Sequence, residues 1–429
     1  MQKNVIKIGF LGLGTVGGGA LQILRQNGEE ISRKVGAEIE VKRIAVRDLK
    51  KARALEVDAA LLTDQVEHVV SDPEIDIVVE VMGGVEQARF AIEQALENGK
   101  FVVTANKDLM AQYGQQLLAV AKKQKKNIFY EASVGGGIPL IRPLKHCLAA
   151  NRIKKIMGII NGTTNYILTQ MSKEGKEYET ALAEAQAKGF AEADPSNDVD
   201  GWDAAYKLNI LAGLSFSGII AMNDIYVEGV SKVKLRDILY AQELGYAVKL
   251  LAIGEESEAG LKLRVHPTLI PQNHPLAAVE NEFNAIFVEG DAVGEVMFYG
   301  RGAGSLPTGS AICADIMDAA RAIKNEIQNC VIEANFAAKK VVPMEEQVSR
   351  FYLRLKAKNE PGVFAKLATA FGNERVSLDM IIQKRSDEQT AEIVLVTNDV
   401  SEGSFNQAMD KIREMPSIQS INSVLRVVE

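Results

Sequence analysis

Through the first third of the chain, apolar and polar positions switch repeatedly between strand-like and helix-like spacing. Val5–Phe10 is a short apolar run broken only by Lys7, and Thr15 to about Lys34 has helical periodicity. Residues 5–24 are nearly uncharged and follow Lys3, which mimics a signal peptide. Six glycines fall within those twenty residues, and glycine weakens a helix by about 1 kcal/mol relative to alanine. A buried strand, a tight glycine turn and a helix explain both the apolarity and the glycines. Further strands are predicted at Ile39–Val46, Ile75–Val81, Phe101–Thr104 and Asn127–Glu131, with helices at Val85–Asn98 and Tyr113–Lys123. Alternating signals of this kind predict parallel βαβ units.

From Ser133 to about residue 330 the two periods mix irregularly. Strands are predicted at Ile153–Ile160 and Glu282–Gly290, and helices at Glu177–Lys188, Ala204–Leu214, Leu235–Gly245 and Thr308–Asn325. Ala337–Ser349, charged and containing Pro343, reads as a connector. Beyond it Phe351, Leu353 and Leu355 alternate with Tyr352, Arg354 and Lys356, a half-buried strand. A Pro-Gly turn, a helix (Val363–Phe371), two strands (Val376–Lys384, Ala391–Thr397), a helix (Glu402–Arg413) and a strand (Ile418–Val427) follow. That βαββαβ order predicts a ferredoxin-like module.

A length of 429 residues suits about three domains, at roughly 150 residues each. With 49 basic and 56 acidic residues the formal charge is −7, which argues against a nucleic-acid surface. Cys147, Cys313 and Cys330 make neither a disulfide framework nor a zinc pattern, and His68, His146, His266 and His274 are scattered. The expectation is a cytoplasmic protein with no membrane partner.

Gly12-Leu13-Gly14-Thr15-Val16-Gly17 sits between a predicted strand and a predicted helix, the setting a dinucleotide fingerprint requires. The first glycine permits the turn, the second lets a pyrophosphate approach, and the third lets the helix pack on the sheet. The helix N-terminus supplies free N–H groups and a positive dipole end. After the second strand come Arg47 and Asp48. An acidic residue there binds a ribose hydroxyl and an arginine accommodates a 2′-phosphate, so NADP(H) is favoured, or use of both nucleotides. Lys107 follows another strand end, where either a ligand contact or a plain surface lysine fits. Glu131–Pro139 holds a carboxylate before Gly135-Gly136-Gly137. Such a turn can aim carbonyl oxygens at a hard cation, and a hinge between domains is the other reading. Gly189–Lys207 carries Glu192, Asp194, Asp198, Asp200 and Asp203 before Lys207. Asp203 and Lys207 are one helical turn apart. The array is either a solvated ionic face or, in a cleft, a proton-moving lysine among carboxylates that hold an ammonium group.

These segments together resemble the homoserine dehydrogenase family. The resemblance rests on Gly12–Gly17, Asn106-Lys107, Glu131–Pro139, Asn161-Gly162-Thr163-Thr164-Asn165-Tyr166, and the run from Ala185 through Gly189, Pro195, Asp198, Gly201 and Asp203 to Lys207. The C-terminal module, with Asn359-Glu360-Pro361-Gly362-Val363 after its first strand, is similar to ACT domains. The fold class implied is α/β: a Rossmann-type dinucleotide-binding domain (1–135), an α+β catalytic and dimerisation domain (136–330), a linker (331–349) and a ferredoxin-like ACT domain (350–429). The helix from residue 308 to about 330 is expected to pack back on the first domain. The resemblance implies NAD(P)H-dependent interconversion of L-aspartate 4-semialdehyde and L-homoserine, a step towards threonine, methionine and isoleucine. By carry-over Lys207 is the acid–base residue, Glu192, Asp203 and Asp198 serve the substrate, and Lys107 serves substrate and cofactor. Phe10, Gly12, Gly14, Thr15, Val16, Gly17, Arg47, Gly189 and Gly304 line the cofactor site. Glu131 with the backbone of Val134, Gly136 and Ile138 binds sodium or potassium. The family likeness also implies a homodimer or homotetramer and threonine as an effector.

Two rival functions share some of these features. A phosphorylating semialdehyde dehydrogenase needs a thiolate paired with a base, for which His146-Cys147 is the candidate. A non-catalytic nucleotide or amino-acid sensor accounts for the first and last domains but leaves the carboxylate–lysine array unexplained.

Overall fold

The computed structural model describes residues 3–52, 55–327 and 336–428. Cys330, the end of the helix expected at 308–330 and residues 331–335 of the expected linker lie outside the described residues. Among those described, no helix is long and apolar enough to cross a membrane. The chain gathers into two compact units: Met1–Ile153 with Tyr206–Met222 and Glu289–Ala338, and Lys154–Ala205 with Asn223–Val288 and Lys339–Glu429.

The first unit is built on six parallel strands, β1 (Val5–Leu11), β2 (Glu38–Ala45), β3 (Leu62–Thr63), β4 (Ile77–Glu80), β5 (Phe101–Thr104) and β6 (Ile128–Phe129), in the order 3-2-1-4-5-6. β4 and β5 are buried at every position, so they read as unbroken apolar runs rather than alternating ones. Phe10 stands between Ile44 and Val79 in the parallel register and is fully buried. The single helix expected at 15–34 is two helices, Thr15–Gln26 and Gly28–Val35, because Asn27 ends one and caps the next. The helix expected from Tyr113 begins at Lys107, where the Asn106 side chain accepts from Leu109 N. The helix Ser305–Lys324 crosses Thr15–Gln26 closely. A Cβ at Gly19 would lie 2.1 Å from Ser305 O, and one at Gly309 would lie 2.7 Å from Ala20 N.

In the second unit Phe283–Gly290, Ile153–Ile159, Tyr246–Ser257, Gly260–Pro271, Ile418–Val427, Val348–Lys358, Thr390–Thr397 and Leu378–Ser386 lie side by side in one sheet. The sequence pattern did not announce the hairpin of two twelve-residue strands, Tyr246–Ser257 and Gly260–Pro271, since both are buried on both faces through their middles. The βαββαβ module forms with helices Val363–Asn373 and Glu402–Arg413, around Phe351, Phe371 and Phe405. Its last strand runs parallel to Gly260–Pro271 (Thr268 opposite Arg426, Leu269 opposite Val427), so the module shares a sheet with the hairpin. Buried ion pairs reinforce that junction. Arg354 binds Asp237 through Nε and Nη2, at 2.6 and 3.1 Å, and Glu392 through Nη1 at 3.0 Å. Tyr240 donates to the other Glu392 oxygen, and Arg426 grips Glu402 and Glu228.

Candidate active site

At the carboxyl end of the parallel sheet a cleft of about 930 Å³ opens, walled by the glycine turn, the end of β2 and Ser305. Gly12, Gly14, Thr15 and Arg47 stand in its wall. Gly12 has φ +102, and a Cβ there would be 2.6 Å from Val81 O, so only glycine makes this turn. Gly14 caps the helix with open space where a Cβ would be, leaving the helix N-terminus approachable by phosphate. At Gly17, in contrast, a Cβ would lie 2.9 Å from Gly12 O, so the helix sits this close to the turn only with no side chain there. Val16 and Gly304 are outside the walling set, although Ser305, next to Gly304, donates through Oγ to Thr15 O at 2.8 Å. The Phe10 side chain belongs to the core, so at most its backbone serves the cleft. Arg47 is exposed, with Nη2 3.4 Å from Met82 O. Asp48 turns one carboxylate oxygen to Lys50 N at 2.8 Å. Lys51 lines the same wall and was not singled out from sequence, though its place four residues after Arg47 was the available signal.

Glu80, at the end of β4, also escaped the sequence reading. It is fully buried, accepts from Thr104 Oγ1 (2.6 Å) and Met82 N (3.0 Å), and burial pushes its carboxyl above the usual range. It ties the loops after β4 and β5 together beside Asn106, whose amide donates to Gly84 O. Lys107 opens the following helix, half-buried, with Asp108 at 3.9 Å.

Glu131 is buried just before the triple-glycine turn. Its carboxylate accepts from the backbone N–H groups of Leu140, Ile141 and Arg142, which commits both oxygens to the chain itself. Gly135 (φ +73) and Gly136 (φ +55) make the turn left-handed, and a Cβ at Gly136 would be 2.5 Å from Gly302 O. Behind it Asp315 accepts from Glu131 N and from Arg142, and burial raises its carboxyl to about 8. Among the described residues no group of three or more His, Cys, Asp or Glu side chains could hold a metal.

The second unit assembles carboxylates. Asn161 caps the helix Gly162–Glu174, accepting from Thr164 N. Its amide donates to Asp198 Oδ1 (2.7 Å) and Asp203 Oδ2 (2.8 Å), and Thr163 Oγ1 lies 3.0 Å from the other Asp198 oxygen. Asp203 is buried and Asp198 half-buried, while Glu192 is exposed. Gly189 ends its helix at φ +75 with nothing near a Cβ. Lys207 is half-buried on Trp202–Phe216, one turn beyond Asp203. Cys147 is exposed at the end of the short helix Pro143–Cys147, and burial pushes the Cys313 thiol up to about 12.

A doubly wound sheet with a glycine-walled cleft at its carboxyl end is the architecture of a dinucleotide-binding domain. Residues 12–131 match the NAD-binding domain of homoserine dehydrogenase, residues 139–317 match homoserine dehydrogenase, and residues 351–417 match the ACT domain. The homoserine dehydrogenase of Synechocystis sp. is 46% identical over 99% of both chains, and that of Bacillus subtilis 43% over 99% of this chain and 98% of its own. The crystal structure of a homoserine dehydrogenase from Thiobacillus denitrificans superposes with a TM-score of 0.95 at 44% identity, covering 100% of each chain. A hyperthermophilic archaeal homoserine dehydrogenase in complex with NADPH matches 73% of this chain and 97% of its own, at 30% identity and a TM-score of 0.62. The chain belongs to the homoserine dehydrogenase family. It is an NAD(P)-dependent oxidoreductase that interconverts L-aspartate 4-semialdehyde and L-homoserine, with an ACT domain at its C-terminal end. That family excludes the phosphorylating and non-catalytic alternatives.

Proposed function

We propose that Asp203, supported by Asp198 and with Glu192 from the adjoining loop, holds the ammonium group of the amino-acid substrate, and that Lys207 moves the proton. The bound nicotinamide supplies or accepts the hydride. Reduction of the aldehyde builds negative charge on its oxygen. An ammonium beside that oxygen stabilises the charge and then neutralises it, and in the oxidative direction the neutral amine takes the hydroxyl proton. Lys107 positions substrate and nucleotide. The observation that supports this reading best is the pairing of Asp198 with Asp203 one turn before Lys207. Asp203→Asn is expected to raise KM for homoserine by about tenfold to a hundredfold, the worth of a charge-assisted contact, with nucleotide affinity unchanged. An unchanged KM for homoserine would remove Asp203 from the substrate site.

NADP(H) is the nucleotide favoured in this reading, supported by Arg47 and Lys51 in one cleft wall, and NAD(H) is the alternative. A sodium or potassium ion held by the carbonyls of Glu131, Val134, Gly136 and Ile138 would offset their dipoles and fix the turn. Functional boundaries follow the reading above: nucleotide binding in 1–135, with residues 308–330 added, catalysis and dimerisation in 136–330, a linker at 331–349 and regulation in 350–429. Threonine is the effector of the ACT domain. Exposed Val293, Met297, Tyr299 and Leu306 support a subunit contact, hence a homodimer or homotetramer, and the enzyme works in the cytoplasm.

A further inference from the structure

We infer that Asn161 is a positioning residue of this site, fixing Asp198 and Asp203 as a pair through the two N–H groups of one amide. The inference rests on the substrate role proposed for those carboxylates. Asn161 is 5% exposed, and its side chain is committed at both ends. Oδ1 accepts from Thr164 N at 2.9 Å and from Thr164 Oγ1 at 2.8 Å. Nδ2 donates to Asp198 at 2.7 Å and to Asp203 at 2.8 Å. Turned over, the amide would aim its oxygen at two carboxylates and its N–H groups at a backbone N–H, so a single orientation satisfies every partner.

The backbone beneath it is equally committed. Asn161 has extended geometry (φ −127) between the buried strand Ile153–Ile159 and the helix it caps. Gly162 follows so closely on Glu282 O that a Cβ would lie 2.8 Å away. One turn on, Asn165 Nδ2 donates to the carbonyls of Asn281 (2.9 Å) and Phe283 (3.1 Å). The cap is thus fixed to the 279–283 loop and cannot drift. Two carboxylates drawn to one ammonium repel each other while the site is empty. A shared neutral donor sets their spacing in advance without adding a charge that would compete with the substrate. Aspartate in its place would cap the helix but add repulsion, and serine would cap it with only one donor to offer.

The test uses the full-length enzyme and Asn161→Ser, which keeps a good helix cap and removes both amide donors. The expected result is a KM for homoserine raised about tenfold to a hundredfold, a smaller change in kcat, and nucleotide affinity within about twofold of wild type. Asn161→Ser is then combined with Asp203→Asn. If Asn161 acts through the carboxylate pair, the combined loss is clearly smaller than the product of the two separate losses. Kinetics within about twofold of wild type for Asn161→Ser, or losses that multiply in the double variant, would overturn the inference. Should Asp203→Asn itself match wild type, the carboxylate assignment fails, and this inference falls with it for a separately visible reason.

Discussion

Lys249 is 5% exposed, with its ammonium set against Asn165 Oδ1 and Val279 O rather than against a carboxylate. Burial lowers its pKa from 10.5 to about 8. Between those values the unfolded chain binds more protons than the folded one, so this group makes stability rise as pH climbs through about 8 towards 10.5. The gain amounts to roughly 3 kcal/mol at most. Denaturation of wild type and Lys249→Met at pH 7 and pH 10 should show wild type gaining relative to the variant at the higher pH, and an unchanged difference would contradict this. At the cleft, Arg47→Ser with Lys51→Ser should raise KM for NADP at least about tenfold while leaving KM for NAD within about twofold. Equal effects on both nucleotides would remove the 2′-phosphate role. Much of the candidate site was legible at this scale: the glycine turn, Arg47, Asp198, Asp203 and Lys207 are local patterns. What escaped was Asn161's hold on two distant carboxylates, Glu80's burial, and the diversion of the Glu131 carboxylate to three backbone N–H groups. Each depends on a partner remote in sequence.

Among elements, the tightest crossing is that of Thr15–Gln26 with Ser305–Lys324, where Gly19 and Gly309 admit the other backbone. Gly19→Val would place carbon within 2.1 Å of Ser305 O. The expected cost is about 1 to 3 kcal/mol or more, read by denaturant titration, together with weaker nucleotide binding because Ser305 walls the cleft. Unchanged stability would show that the two helices separate freely. Local periodicity revealed the amphipathic helices well, but it read the strand from Phe351 as half-buried, whereas Tyr352 and Arg354 are buried too, because that face packs on Asp237. It failed on Tyr246–Ser257 and Gly260–Pro271, where burial on both faces erases the two-residue alternation. It also merged two helices across Asn27, since a cap residue in an otherwise helical run leaves the apolar spacing intact.

At the scale of the molecule, the C-terminal module is joined to the rest of the second unit edge to edge and through buried charge. Removing it would expose the edge of Gly260–Pro271 and leave Asp237, 0% exposed, without Arg354. A chain ending at residue 349 is therefore expected to aggregate, an exposed edge being a template for pairing. A soluble, fully active truncation would contradict this. Arg354→Met in the full chain should cost about 3 to 5 kcal/mol, the penalty of stranding a buried carboxylate. For this reason the threonine response is better sought by titrating threonine into the intact enzyme than by deletion.

Whether Lys207 moves the proton is decided by the Lys207→Ala variant. Homoserine oxidation is followed through the absorbance of reduced nicotinamide, with nucleotide affinity measured in parallel. The variant is expected to fold, bind nucleotide as wild type does and turn over about a hundredfold to ten-thousandfold more slowly. Turnover near that of wild type would contradict it.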